Sequence, residues 1–272
     1  MAEMSVIWLR VAAALYSVGL VHAIFAITQR RANLFRGALA AARVGVLLHF
    51  VSVIEEGLIT GHCPIANLYE TMSLCALIVM ALFLVVHWRY KIESFSVFMF
   101  PLVFLMTLVA TMGRPVANWS SPAIRNVWLT THIVLVLLGY AALLLTAVAA
   151  VIYLIQEREL KRKSPRKFHY RLPPLGTLDE LISRFMAAGF VLITLATIAG
   201  TTWGFIEAGA GWIRDPRISI SFITWGIVLA MVFLRVSAGW RGRKAAIMAI
   251  AALAFSAITW VAHSGMRLNL TQ

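Results

Sequence analysis

Charge is scarce in this sequence. Only 13% of its 272 residues are Asp, Glu, Lys or Arg, and 11 of these are acidic against 24 basic. With 61% hydrophobic residues and a mean hydropathy of +0.86, there is too little polar surface to clothe a water-soluble domain. Lipid must be the solvent. Cysteine is nearly missing: Cys63 falls in a connection and Cys75 inside an apolar run, depths that argue against a disulfide between them. A glycine-rich phosphate loop and a nucleophile elbow are both absent, which argues against ATP-driven transport by this chain alone. Internal repeats and low-complexity tracts are absent too.

Long apolar runs are what the sequence has in quantity. They cover roughly 5–28, 38–59, 67–88, 95–112, 125–155, 180–203, 218–235 and 245–263. A spanning helix takes roughly 20 apolar residues, because backbone polar groups in hydrocarbon must be satisfied within the helix. The expected fold is therefore all-α: a polytopic transmembrane bundle of about eight helices forming a single integral membrane domain over residues 1–272. The first run lacks the basic n-region and small-residue cleavage site of a signal peptide and is followed by Arg30 and Arg31, so it is expected to remain as a helix.

The net charge of +13 is distributed in a way that excludes nucleic acid as its reason. Arg30, Arg31 and Arg36 follow the first run, and Arg89 and Lys91 the third. Arg158 through Arg171 supply seven cations after the fifth, and Arg235, Arg241, Arg243 and Lys244 follow the seventh. Cations in alternate connections are orientation signals. They put these four connections in the cytoplasm and both termini on the outer, periplasmic side of a bacterial inner membrane.

Two connections differ in character. Residues 156–179 form a basic cytoplasmic stretch suited to anionic lipid headgroups, and Asp179 and Glu180 are expected in the first turn of the next helix, where its dipole favours anions. Residues 204–217 form an outer connection with Gly204, Gly209 and Gly211 for unusual backbone angles, and Phe205 and Trp212, with Trp203 just before them, for apolar faces at interface depth. Interface tryptophans are also plain membrane anchors.

Seven histidines are present, and the topology sorts them. His87 and His169 fall on the cytoplasmic side with interface or loop roles. His132 lies near the outer end of the fifth run, four residues after Trp128, and His263 at the outer end of the eighth, three residues after Trp260. Two imidazoles at one depth on different helices can supply both axial ligands of a heme iron, with aromatic residues from Trp203 to Trp225 covering the porphyrin. Zinc is the competing metal, but no acidic or cysteine ligand accompanies the pair at useful spacing. The chain has no CxxCH, so it is not itself a c-type cytochrome. His22 and His49 sit deeper, where two readings stand: ligands of a second, intramembrane heme, or neutral groups hydrogen-bonded between helices. Glu55, Glu56 and Glu70 lie near the outer surface, with Glu56 on the face of His49, and are read as partners of Arg114 or Arg125 or as a catalytic acid.

Several segments taken in order resemble one family. They are Pro64-Ile65-Ala66-Asn67-Leu68-Tyr69-Glu70, Trp128-Leu129-Thr130-Thr131-His132 with Gly139-Tyr140-Ala141-Ala142-Leu143, and Thr177-Leu178-Asp179-Glu180-Leu181 with Arg184. Then come Gly200, Trp203, Trp212, Asp215-Pro216 and Phe222-Ile223-Thr224-Trp225, and finally His263-Ser264. This order is similar to the CcsA/ResC and HemX-like cytochrome c assembly proteins, marked by a tryptophan-rich outer loop between two histidines. The resemblance implies heme b held at the outer face by the residues matching His132 and His263, with the loop residues Trp203, Trp212, Asp215 and Trp225 against the porphyrin. It further implies delivery to apocytochrome c, a CcsB/ResB-type membrane partner, and a place as a subunit of a cytochrome c heme lyase or synthase. Ala208, Arg214, Ile218 and Ile220 stand where typical members have two tryptophans, a glutamate and a further tryptophan. Phe233 stands about where a helix-seven histidine is expected, a ligand then missing or relocated to His22 or His49. A HemX-like regulator of heme biosynthesis and a heme exporter are the alternatives.

Overall fold

The computed structural model describes residues 2–29, 32–61, 64, 68–113, 127–162, 172–208 and 216–269. They form eight helices: α1 (Ala2–Gln29), α2 (Ala32–Thr60), α3 (Leu68–Tyr90), α4 (Ser96–Ala110), α5 (Val127–Leu160), α6 (Leu175–Ala208), α7 (Pro216–Ser237) and α8 (Arg243–Asn269). All but α4 and α8 are both long and apolar enough to cross a membrane, six candidate spans among the described residues. With 15 residues, α4 measures about 22 Å, short of the roughly 30 Å hydrocarbon core. The chain divides into two compact units, Met1–Pro122 and Ala123–Gln272.

In the first unit α1 packs on α2 and α4, and α3 on α2 and α4. Tyr16, Met80, Phe83, Phe95, Met99 and Phe100 are fully buried, and the rings of Phe83 and Phe100 meet edge to face at 5.8 Å. Large apolar side chains also point outward, among them Leu47, Leu58 and Trp88. Helices apolar all round are what a lipid-immersed bundle requires, since its outer face is solvated by acyl chains.

The second unit is built on α5 and α6, each 34 residues long and about 51 Å by helical rise. Such helices either tilt or project beyond the bilayer. They approach closely through small residues: a Cβ on Gly139 would come within 2.7 Å of Ile193 Cγ1 and 3.6 Å of the Gly189 carbonyl. Without the hydrophobic effect to join helices in lipid, such close backbone packing is a main source of association. α8 packs on α5 and α7, and α7 also on α6.

The helices run further into the connections than the apolar runs suggest. α5 continues to Leu160 and α6 begins at Leu175, so the basic connection is shorter than 156–179. At its other end α6 continues to Ala208, and α7 starts at Pro216, leaving 209–215 of the expected 204–217 connection. Asp179 consequently sits beyond the first turn of α6, and its role is a different one. Arg235, in the last turn of α7, donates from Nη1 and Nη2 to the two Asp179 carboxylate oxygens at 3.3 and 2.9 Å. It also donates to the Asp179 carbonyl at 3.0 Å and to Ser183 Oγ at 3.1 Å. The Gly242 N–H, just before α8, donates to the same carboxylate at 3.0 Å. One carboxylate thus joins the neighbouring ends of α6, α7 and α8. Glu180 points elsewhere and pairs with Arg184.

Candidate functional site

His132 is held where α5 crosses α6, two turns before the Gly139 contact. Its Nδ1–H donates to the Ala196 carbonyl at 2.7 Å. A carbonyl only accepts, so Nδ1 carries the proton and a neutral ring has its lone pair on Nε2. The ring lies flat against Gly200, where a Cβ would stand 2.5 Å from Nδ1 and 2.6 Å from Cε1. Gly200 is therefore a glycine because the imidazole occupies the space of a side chain. Gly200→Ala is expected to push His132 off the Ala196 carbonyl. Histidine-ring ¹⁵N shifts should show the bond lost, and the affinity of the ring for a metal or heme iron should fall about 10–100-fold, as when a ligand loses its orienting partner.

One turn beyond Gly200, Trp203 buries its indole Nε1–H with no hydrogen-bond partner among the described residues. A buried donor left unpaired costs about 1–3 kcal/mol, and its presence near an imidazole with a fixed tautomer suits a bound molecule that brings an acceptor. Trp128, 45% exposed, lies one turn before His132 on α5. A histidine that ligates heme iron does so as a neutral imidazole, and its other nitrogen is usually tied to a carbonyl, carboxylate or water. His132 meets that description, so the residues present fit a heme on this side of α5.

The other expected site residues divide sharply. Trp225 is drawn into helix packing: it stacks on Phe190 at 6.4 Å and donates its Nε1–H to Thr194 Oγ1 at 3.0 Å. Thr194 precedes Ala196, the acceptor of the His132 bond, by two residues, about 3 Å of helix, so Trp225 anchors α7 to α6 next to the stretch that holds His132. Trp212 and Asp215 lie outside the described residues, as do Arg114, Arg125, His62, Cys63 and His169. His263 falls on α8, and the side chains from residue 259 onward are likewise outside the description. Phe233 is 62% exposed, so that position of α7 faces out of the second unit.

His22 and His49 are not brought together. His22 Nδ1 donates to the Val18 carbonyl at 2.9 Å, and its ring covers Gly37. His49, fully buried, lies between Tyr16 Oη at 3.4 Å and Ser73 Oγ at 3.0 Å. Gly37 and His49 are 12 residues apart, about 18 Å along α2, too far for the two imidazoles to share an iron. Both ring nitrogens of His49 are engaged, which favours the hydrogen-bonded reading. His87 is buried, with Phe35 edge-on at 5.2 Å. Cys75 is a free thiol within α3. The Glu56 and Glu70 side chains are buried.

Sequence reasoning missed the Asp179–Arg235–Gly242 junction and the Trp225–Thr194 bond, because each joins residues more than 30 positions apart. It also missed Ser73, whose signal was available: Glu70 and Ser73 share a face of α3, as His49, Ser52 and Glu56 do of α2.

With this geometry in hand, comparison with known proteins is informative. The family model described as cytochrome C assembly protein matches residues 65–266, which take in His132, Trp203, Trp212, Asp215, Trp225 and His263. The cytochrome c biogenesis protein CcsA of Microcystis aeruginosa is 29% identical over 256 residues, covering 76% of this chain and 77% of that protein. CcsA of Prochlorococcus marinus (strain MIT 9301) is 31% identical, with 75% and 73% covered. CcsA of Chlamydomonas reinhardtii is 27% identical, with 77% of this chain and 59% of that protein covered. Among solved structures, the cytochrome c heme lyase CcmF aligns over 99% of this chain at a TM-score of 0.67 and 20% identity. That likeness is one of fold, and this chain spans about half, 51%, of the CcmF chain. The matched segment covers most of the sequence and contains the whole α5–α6 site, and the chain belongs to the cytochrome c assembly protein family.

Proposed function

We propose that this protein is a heme-handling membrane component of cytochrome c biogenesis that presents heme b at the outer face of a bacterial inner membrane. His132 and His263 would hold the heme iron, and apocytochrome c would be the acceptor. The observation that carries the reading is the oriented imidazole of His132, bonded through Nδ1 to Ala196 and bedded on Gly200. Bound heme supplies an iron with axial positions for two imidazoles and vinyl groups that can receive the thiols of a CxxCH segment. The chain's own part is to fix the ring orientation, to offer the Trp203 indole N–H to an acceptor, and to keep water from one side with its tryptophans. Attachment is shared with a CcsB/ResB-type partner that holds the acceptor.

The orientation that serves this role follows from the cations. With α4 and α8 counted as crossings beside the six longer apolar helices, and with the basic connections inside, both termini and the His132 end of α5 would lie outside. Arg36, Arg89 and Lys91, and the Arg158–Arg162 end of α5 then mark the inner face.

Deleting the gene and staining membranes for covalently bound heme tests the proposal. Loss of all c-type cytochromes, restored by the wild-type chain and not by His132→Ala, is the expected result. Normal c-type cytochromes together with altered heme synthesis would instead favour a HemX-like regulator, a reading that the exposed Phe233 and the departures at Arg214, Ile218 and Ile220 would then explain. Normal c-type cytochromes with heme retained inside the cell would favour the exporter.

A further inference from the structure

Seven buried polar side chains converge along one seam of the first unit, before or at the edge of the segment matched by the family. α1 supplies Ser5 and Tyr16, α2 supplies His49, Ser52 and Glu56, and α3 supplies Glu70 and Ser73. None is more than 8% exposed. Polar groups in a membrane bundle are costly unless they serve each other or a pathway. Ser5, Ser52, Glu56, Glu70 and Ser73 line a cavity of about 20 Å³, room for one water-sized occupant. The Glu56 side chain lines it while making no hydrogen bond or ion pair among the described residues, although it is only 8% exposed.

The seam continues inward from the cavity as a string. Ser73 Oγ lies 3.0 Å from His49 Nε2, and Tyr16 Oη lies 3.4 Å from His49 Nδ1. A hydroxyl both donates and accepts, so the string is satisfied in two polarities. In one, Ser73 donates to Nε2 and Nδ1–H donates to Tyr16. In the other, Tyr16 donates to Nδ1 and Nε2–H donates to Ser73. The Tyr16 ring lies against Gly45, and Ala12 and Ala13 on α1 and Ala76, Met80 and Phe83 on α3, on the inner side of Ser73 in the chain, are buried and apolar. The string is therefore a blind well that opens toward the Thr60 end of α2.

We propose that this seam is a proton relay. A water in the cavity, held by Glu56 and Glu70, exchanges protons with His49 through Ser73; the His49 ring is the inner terminus, and Tyr16 holds its Nδ1 side by a hydrogen bond. In each transfer the Ser73 hydroxyl gives its proton to Nε2 and takes one from the cavity water, which is replenished from the Glu56 carboxyl. His49 then holds a proton on both ring nitrogens, with Nδ1–H donating to Tyr16 Oη, the Glu56 carboxyl is left as the carboxylate, and the reverse sequence returns the proton to it. Net charge moves by one proton between the cavity and His49, and no co-reactant is needed. The titratable groups facing the relay are Tyr16 from α1, Tyr69 and Glu70 from α3, and Glu55, Glu56 and His49 from α2. Among the described residues, the end of α4 gives the cavity Ala110, Thr111 and Gly113. A small-cation site is the alternative chemistry for such a cavity, but it would not require the Ser73–His49–Tyr16 string.

Hydrogen–deuterium exchange at the His49 ring tests the relay in the full-length chain. The protein is labelled with ring-¹⁵N histidine, and His49→Gln assigns the signal. The His49 ring N–H should exchange at least about tenfold faster than the α2 backbone amides beside it, because amides in a core helix open only by local or global unfolding. Ser73→Ala and Glu56→Gln should each slow the ring exchange at least tenfold while those amides stay protected. The wild-type comparison stands alone where a variant fails to fold. Ring exchange no faster than the amides, exchange unchanged by Ser73→Ala, or exchange slowed by sodium at fixed pH would overturn the proposal, the last in favour of a cation site.

Discussion

Replacing His132 with alanine is expected to abolish the heme absorbance that co-purifies with the protein in detergent. A carbonyl-oriented imidazole on a helix pair is pre-organised, so on the proposed function its removal would take away both the iron–nitrogen bond and the geometry that supports it. Losing only the orienting partner of a metal-bound histidine costs about 10–100-fold in affinity, and losing the ligand itself should cost more than 100-fold. Exogenous imidazole should restore the spectrum in His132→Ala, because the space above Gly200 is then open. Restoration would separate ligation from a general folding defect. His263→Ala should behave alike if both histidines serve one iron. Full heme content in both variants would remove the proposed site.

Arg235→Leu is expected to destabilise the second unit by about 3 kcal/mol, the lower end for breaking a buried ion pair from one side. Its side chain is 9% exposed and that of Asp179 22%, so the variant leaves a largely buried carboxylate whose remaining partner is the Gly242 N–H. Thermal unfolding in detergent should shift down by about 6–12 °C, from roughly 2–4 °C per kcal/mol for a domain of this size. Arg235→Lys should recover little, since one ammonium cannot make the paired contacts to both carboxylate oxygens, the Asp179 carbonyl and Ser183 together. An unchanged transition in Arg235→Leu would show that the residue acts as an orientation charge alone.

That contrast separates what the residues reveal locally from what they reveal only in the fold. As one of several cations after an apolar run, Arg235 reads as a topology signal, and nothing nearby in the sequence indicates a carboxylate 56 positions away. Asp179 likewise reads as a helix-dipole residue until the start of α6 is known. Helix ends were the least legible feature. Polar residues such as Gln156, Glu157 and Glu159 close an apolar run, yet they continue a helix readily once it projects beyond the hydrocarbon. His49 was legible as important but ambiguous as to purpose, because its partners Tyr16 and Ser73 come from two other helices.

Length and distribution of apolar residues by themselves determined that this chain is helical and belongs in a membrane, since hydrocarbon tolerates only backbones that satisfy their own hydrogen bonds. The order of motifs from Pro64 to His263 determined the family. Only the tertiary structure decided how the His132 ring is held. A neutral imidazole becomes a directed ligand when a particular carbonyl, here Ala196, takes its other proton, and when a missing side chain, here at Gly200, makes room for the ring. Those contacts are set by the register of α5 against α6, and that register is fixed by the close packing of Gly139 against Gly189 and Ile193.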